Sequence, residues 1–155
     1  MIIAIVSDTH GNIEEFIDKV KEIKPSYILH LGDYFEDGQE IEKQTGIKTY
    51  IVKGNNDFMV NSAENELLVK IKDKEFYMTH GHLQNVYFGN EKILDRAKNL
   101  KVNYALHGHT HIYYDEEKDG IRIINPGSVT YPRGNDEKGF VILDIESGKS
   151  KRILL

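Results

Sequence analysis

The chain has 155 residues, 39% hydrophobic and 29% charged, which is enough apolar material for one buried core and too polar for a membrane-spanning chain. Twenty Lys and Arg against 25 Asp and Glu leave a net charge of −5, which argues against a protein that holds long nucleic acid by general basicity. There is no cysteine, so disulfides and thiolate chemistry are excluded, and seven histidines are the borderline-soft ligands that remain.

The apolar run Ile2 to Val6 has no basic region before it and no cleavage site after it. It reads as a buried strand rather than a signal peptide or anchor, and a cytoplasmic protein without membrane contact is expected. Ile13, Phe16, Ile17, Val20 and Ile23 then recur at helical spacing up to Pro25, with Asn12 as the expected N-cap. Tyr27 to Leu31 predicts a second buried strand, so a right-handed β-α-β crossover with parallel neighbours follows. A short helix is expected over 36–45, a third strand over 48–52, and a hairpin from 67–71 and 75–79 around Lys72-Asp73-Lys74. Residues 90–100 carry a helical pattern and 102–106 a strand. The last third reads as antiparallel strands turned at Lys118-Asp119-Gly120 and Glu146-Ser147-Gly148. No linker or repeat divides the chain, so 1–155 is expected to be one layered α/β domain with two sheets and helices outside.

Five predicted strand ends each carry donors next to a glycine: Asp8-Thr9-His10-Gly11, Gly32-Asp33, Gly54-Asn55-Asn56-Asp57, His80-Gly81-His82 and Gly108-His109-Thr110-His111. Ligands commonly bind at such ends, and a mixed Asp, His and Asn set suits Mn, Fe, Ni, Co or Zn better than Ca²⁺. Two divalent ions can be held by this set if one carboxylate bridges them. Ions about 3.5–4 Å apart are the usual device for phosphate-ester hydrolysis, because they lower the pKa of a bound water and clamp the phosphoryl oxygens. No covalent nucleophile is then needed, although Ser7 and Ser128 leave a serine nucleophile formally open.

These motifs, in this order and spacing, resemble the calcineurin-like metallophosphoesterases, whose pattern is D-x-H, G-D, G-N-x-[DE], H-G and G-H-x-H. The length, with Gly108-His109-Thr110-His111 and Asn125-Pro126-Gly127-Ser128, is most similar to the small single-domain phosphodiesterases of the YfcE type. The resemblance implies a four-layer α/β/β/α sandwich of two mixed sheets. It also implies Asp8, His10 and His111 as ligands of one metal, Asn55, His80 and His109 as ligands of the other, and Asp33 as the bridge. Mn, Ni, Fe or Zn is implied without a choice among them, and family habit points to a homodimer.

Two departures from the family pattern shape the remaining expectations. Asn56 stands where many family phosphatases have a histidine that protonates the leaving group, and Gly32-Asp33 is followed by Tyr34-Phe35-Glu36-Asp37 instead of their x-x-D-R-G run. His82 is therefore expected to join Asn55 in the catalytic set, and Asn56 and Arg133 to meet substrate. His30 and His107 are expected to be structural, while Phe58 and Met59 either wall the cleft or fill the core. The function expected is hydrolysis of a small phosphodiester through a metal-bridging hydroxide. Phosphomonoester hydrolysis is the alternative, as is a non-catalytic scaffold like the retromer subunit of this fold. The acidic, short chain argues against nuclease action on long strands.

Overall fold

A computed structural model describes all 155 residues. The chain runs β1 (Ile2–Val6), α1 (Glu14–Ile23), β2 (Tyr27–His30), α2 (Phe35–Thr45), β3 (Thr49–Ile51), β4 (Glu66–Ile71), β5 (Lys74–Thr79), α3 (Glu91–Leu100), β6 (Tyr104–Leu106), β7 (Tyr113–Lys118), β8 (Ile121–Pro126), β9 (Gly139–Asp144) and β10 (Ser150–Leu154). Two five-stranded mixed sheets form, in the orders β10-β9-β1-β2-β3 and β4-β5-β6-β8-β7. β1, β2 and β3 are parallel, as are β5, β6 and β8, while β9 and β10 close the first sheet antiparallel and β4 and β7 the second.

Strand alternation sorts the apolar side chains into three interlayer spaces, which is what a four-layer sandwich requires. Ile3 and Ile5 of β1 face the second sheet, where Phe76, Met78, Leu106 and Ile124 meet them. Ala4 and Val6 face the other way, onto Phe16, Ile17 and Val20 of α1 and Ile41 of α2. Tyr77 turns outward onto Ile93, Leu94 and Ala97 of α3. The amphipathic stripe of each helix is therefore matched by one face of one sheet, and the α/β/β/α order follows from the residue pattern.

One local detail differs from expectation. Asn12 does not cap α1: Ile13 holds that position without a side-chain bond, and the Asn12 amide donates back to the His10 carbonyl at 3.3 Å. Strand β6 stops at Leu106, so His107, His109 and His111 do not share a pleated face. Within α2, Gly38 allows close helix–sheet approach, since a Cβ there would lie 2.8 Å from Ile51 Cδ1. No helix is long and apolar enough to cross a membrane.

Phe76 is fully buried between the sheets and stacks on Tyr104 at 4.7 Å. Phe76→Ala is expected to cost about 3–5 kcal/mol of unfolding free energy, since it removes apolar contact and leaves a cavity the sheets cannot close. Urea denaturation of the variant checks this, and a loss below 1 kcal/mol would show that the layers collapse onto the gap.

Candidate metal centre

Both sheets end their parallel strands on the same side of the molecule. Asp8 follows β1, Asp33 follows β2, Asn55 and Asn56 follow β3, His80 follows β5, and His109 and His111 follow β6. Backbone bonds tie the loops together, with Asp8 N–H donating to the Gly32 carbonyl at 3.1 Å and Gly108 N–H to the His80 carbonyl at 2.9 Å. Asp8, His10, Asp33, His109 and His111 all have positive φ, between 46° and 68°. Non-glycine residues avoid this region, and its concentration at one cluster is the kind of stored backbone strain found at functional sites. Glycines let the loops close in: a Cβ on Gly108 would lie 2.7 Å from Asp8 Oδ2, and one on Gly54 would collide with Asp33 Oδ1.

The donor atoms converge. Asp8, His10, Asp33 and His111 each present one within 4.8 Å of the others. Asp8 Oδ1 lies 3.1 Å from His111 Nε2 and 4.0 Å from His10 Nε2. Asp33 straddles two imidazoles, with Oδ2 3.6 Å from His10 Nε2 and Oδ1 3.5 Å from His80 Nε2. His80 Nε2 is also 3.2 Å from His109 Nδ1. Asp8 Oδ1 and His10 Nε2 are buried without any hydrogen-bond partner, which fits ligand atoms for a cation. Neutral imidazoles and carboxylates of this kind suit a divalent transition metal.

The lone pairs are aimed by carbonyls outside the cluster. His80 Nδ1 donates to the Leu31 carbonyl at 2.7 Å and His111 Nδ1 to the Tyr131 carbonyl at 2.6 Å, so each turns Nε2 inward. Asp8 Oδ2 accepts from Ser7 Oγ at 2.6 Å and from His109 N–H at 3.1 Å. Burial opposes ionisation of Asp8, but the His111 contact and the nearby His80 outweigh it and lower its pKa to about 2. Burial, with His80 alongside, lowers His109 to about 4, and burial also lowers His10. His111 is raised despite its burial, because Asp8 favours its charged form.

The other expected residues separate clearly. Asn55 is exposed at the head of a single 3-10 turn, Asn55–Asp57, beside the cluster. Asn56 donates its amide to Asp33 Oδ2 at 2.7 Å and its backbone N–H to Asp33 Oδ1 at 3.1 Å. His82 is half-buried, its ring 5.5 Å from that of His80 and 6.1 Å from that of His109, with Nδ1 unpartnered. Arg133 is exposed, donates its backbone N–H to the His111 carbonyl at 3.1 Å and rests its guanidinium on the Tyr87 ring and hydroxyl. Phe58 and Met59 are 74% and 79% exposed, so they do not fill the core. Ser7 and Ser128 are buried, and their hydroxyls are committed to Asp8 Oδ2 and to the Asp8 carbonyl, which leaves no free serine nucleophile.

His30 and His107 are bystanders to the cluster. His30 Nδ1 accepts from Gly32 N–H at 3.2 Å, and its Nε2 faces Thr9 Oγ1 at 3.1 Å, which donates to Asp37 at 2.6 Å. Sequence reasoning missed Asp37, Tyr87 and the bracing role of Asp57, whose carboxylate accepts from Phe35 N–H and Gly54 N–H, both at 2.7 Å. The only available signal was the acidic residue closing the G-N-x-D motif.

The model of the calcineurin-like phosphoesterase superfamily domain matches residues 1–148. The chain is 33% identical over 151 residues to the probable metallophosphoesterase YsnB of Bacillus subtilis, covering 95% of this chain and 86% of the relative. It is 29% identical to the phosphodiesterase MJ0936 of Methanocaldococcus jannaschii, covering 100% of this chain and 99% of that protein. The solved structure of an archaeal phosphodiesterase superposes with a TM-score of 0.82 at 28% identity, over the full length of both chains.

Two outcomes are expected from this geometry. Added Mn²⁺ or Zn²⁺ should raise the melting temperature, and Asp33→Asn should abolish most of that rise; an equal rise in the variant would place the ion elsewhere. Burial lowers His30 and His107 to about 4, while both would take a proton near 6.5 in the unfolded chain. The unfolded state thus binds more protons between about pH 6.5 and 4, so this contribution to stability is complete above 6.5 and lost as pH falls towards 4. Urea midpoints of metal-free protein at pH 7 and pH 5 check the sign.

Proposed function

Because the chain belongs to the calcineurin-like phosphoesterase superfamily, we propose that it is a metal-dependent phosphodiesterase with a two-ion centre. The observation that carries this reading is Asp33, whose two oxygens address two separate imidazole groups, His10 on one side and His80 on the other. In this reading Asp8, His10 and His111 would hold one ion and Asn55, His80 and His109 the other, with Asp33 available to both. When bound, such a pair of ions activates water for in-line attack and neutralises phosphoryl charge.

The remaining side chains position and protonate. Asn56 fixes the rotation of the Asp33 carboxylate through two donors, so the residue that replaces the usual histidine acts on the bridge. His82 is the imidazole beside the cluster left without a ligand role, and its half-buried ring is the group we assign to donate to the departing oxygen or to a phosphoryl oxygen. Burial lowers the pKa of His82, so it would act as a weak hydrogen-bond partner at neutral pH and favour substrates with good leaving groups. Arg133, whose backbone N–H binds the His111 carbonyl and whose guanidinium has no acidic partner, would meet the phosphate in this reading. The complete donor set favours an enzyme over a scaffold with a degraded site.

With Mn²⁺ or Ni²⁺ supplied, bis(4-nitrophenyl) phosphate is expected to be hydrolysed faster than 4-nitrophenyl phosphate. Asp33→Asn should lose at least about 100-fold in turnover while remaining folded. His82→Gln should cost about 100-fold with an alkyl leaving group and much less with 4-nitrophenolate, which departs without a proton. Metal-replete, folded protein with no activity on either ester would return the chain to the scaffold reading.

A further inference from the structure

The imidazoles of the metal centre are not all held in the same way. His80 and His111 each carry a carbonyl at Nδ1, at 2.7 and 2.6 Å, which fixes the ring and turns Nε2 inward. His10 has no such anchor. Its Nε2 is unpartnered, and the rings beside it are Tyr34 at 5.1 Å, His111 at 5.2 Å and Tyr131 at 5.6 Å. An imidazole with neither nitrogen anchored is aimed only as well as its backbone is held.

That backbone is costly to hold. Asp8, His10 and Gly11 have φ of 56°, 46° and 82°, and a non-glycine residue keeps such an angle only where its surroundings over-determine it. Asp37 does much of this. A single oxygen, Oδ2, accepts from the Thr9 hydroxyl at 2.6 Å and from the Gly11 N–H at 2.7 Å, and these are the residues on either side of His10. Behind Thr9 the protons are ordered. His30 Nδ1 accepts from Gly32 N–H, so its Nε2 donates to Thr9 Oγ1 at 3.1 Å and the Thr9 proton is left for Asp37. Hydrogen bonds to a carboxylate are shorter and about twice as strong as those between neutral groups.

Asp37 can serve as a clamp because its own helix is pinned. It sits in the first turn of α2, where Asp57 Oδ1 accepts from Phe35 N–H at 2.7 Å and Gly38 lets the helix lie close against Ile51 of β3. Its carboxylate is not a member of the donor cluster itself. We infer that Asp37 is the positioning residue of His10: it ties both neighbours of that imidazole to α2 and so stands in for the carbonyl that His80 and His111 have. That His10 is a metal ligand rests on the two-ion reading; that Asp37 aims its ring does not.

The test uses the full chain as wild type, Asp37→Ala and Asp37→Asn. In metal-free protein, proton–carbon NMR of the imidazoles reports on His10 through the ring currents of Tyr34 and Tyr131, with His10→Gln identifying its signals. Asp37→Ala is expected to move the His10 signals towards those of a free histidine and to leave those of His80 and His111 in place, which a general loosening of the fold would not do. Calorimetric titration with Mn²⁺ should then show one ion bound about 10- to 100-fold more weakly and the other little changed. Asp37→Asn keeps an acceptor oxygen at the same reach and should restore most of both readouts. If Asp37→Ala does not fold, Thr9→Val, which removes one of the two donors, is read in its place. Unmoved His10 signals in whichever variant is read, or the signals of all three histidines moving together, overturn the inference. Wild type that binds no divalent ion would overturn the two-ion reading alone, since the His10 signals decide the role of Asp37 without metal.

Discussion

Two carboxylates, Asp8 and Asp33, are held out of water at 0% and 2% exposure and face the same group of imidazoles. Burying two like charges side by side is costly, and a protein tolerates it only where each oxygen is met by a donor or a cation. Three of the four oxygens are met by donors: Asp8 Oδ2 by Ser7 and the His109 backbone, Asp33 Oδ2 by the Asn56 amide, and Asp33 Oδ1 by the Asn56 backbone. What the protein leaves without a conventional partner is Asp8 Oδ1, which looks onto His111, His10 and His80. The unusual backbone angles, the glycine approaches and the outward anchoring of His80 and His111 to carbonyls all serve to hold that one electrostatic arrangement open. In the proposed two-ion reading four positive charges would face two carboxylates, and a protein of net charge −5 could then still draw an anion to this cleft.

The layers were readable in the sequence because they depend on periodicity. Ile3 and Ile5 alternate with Ala4 and Val6, and Phe16, Ile17 and Val20 recur at helical spacing, whatever the rest of the chain does. The donor clusters were readable because glycine and a polar residue at a strand end are a local signal. Side-chain partners were not, since they come from distant segments. Asn12 looked like a cap because its neighbours permit one, yet the His10 carbonyl, turned by a left-handed residue, claims its amide. Nothing in a string of letters announces that a histidine or aspartate will adopt positive φ, so the backbone turns that aim Asp8, His10, Asp33, His109 and His111 were not legible in it.

Asn56 shows the same limit from another side. By position it belonged with substrate contacts, whereas its amide lies on Asp33. Tyr87 had no signal of its own, because its importance comes from lying between His109 and Arg133, which are 22 and 46 residues away along the chain. A residue whose role is to join two loops can be identified only once both loops are in place.

The first sheet has a consequence for how the molecule is made. β1 lies in the middle of that sheet, with β2 on one side and β9, more than a hundred residues later, on the other through pairs such as Ala4 and Ile142. During synthesis one edge of β1 must therefore wait, apolar and unpaired, until β9 has emerged. Long-range closures of this kind are slow to fold and leave edges open to wrong partners.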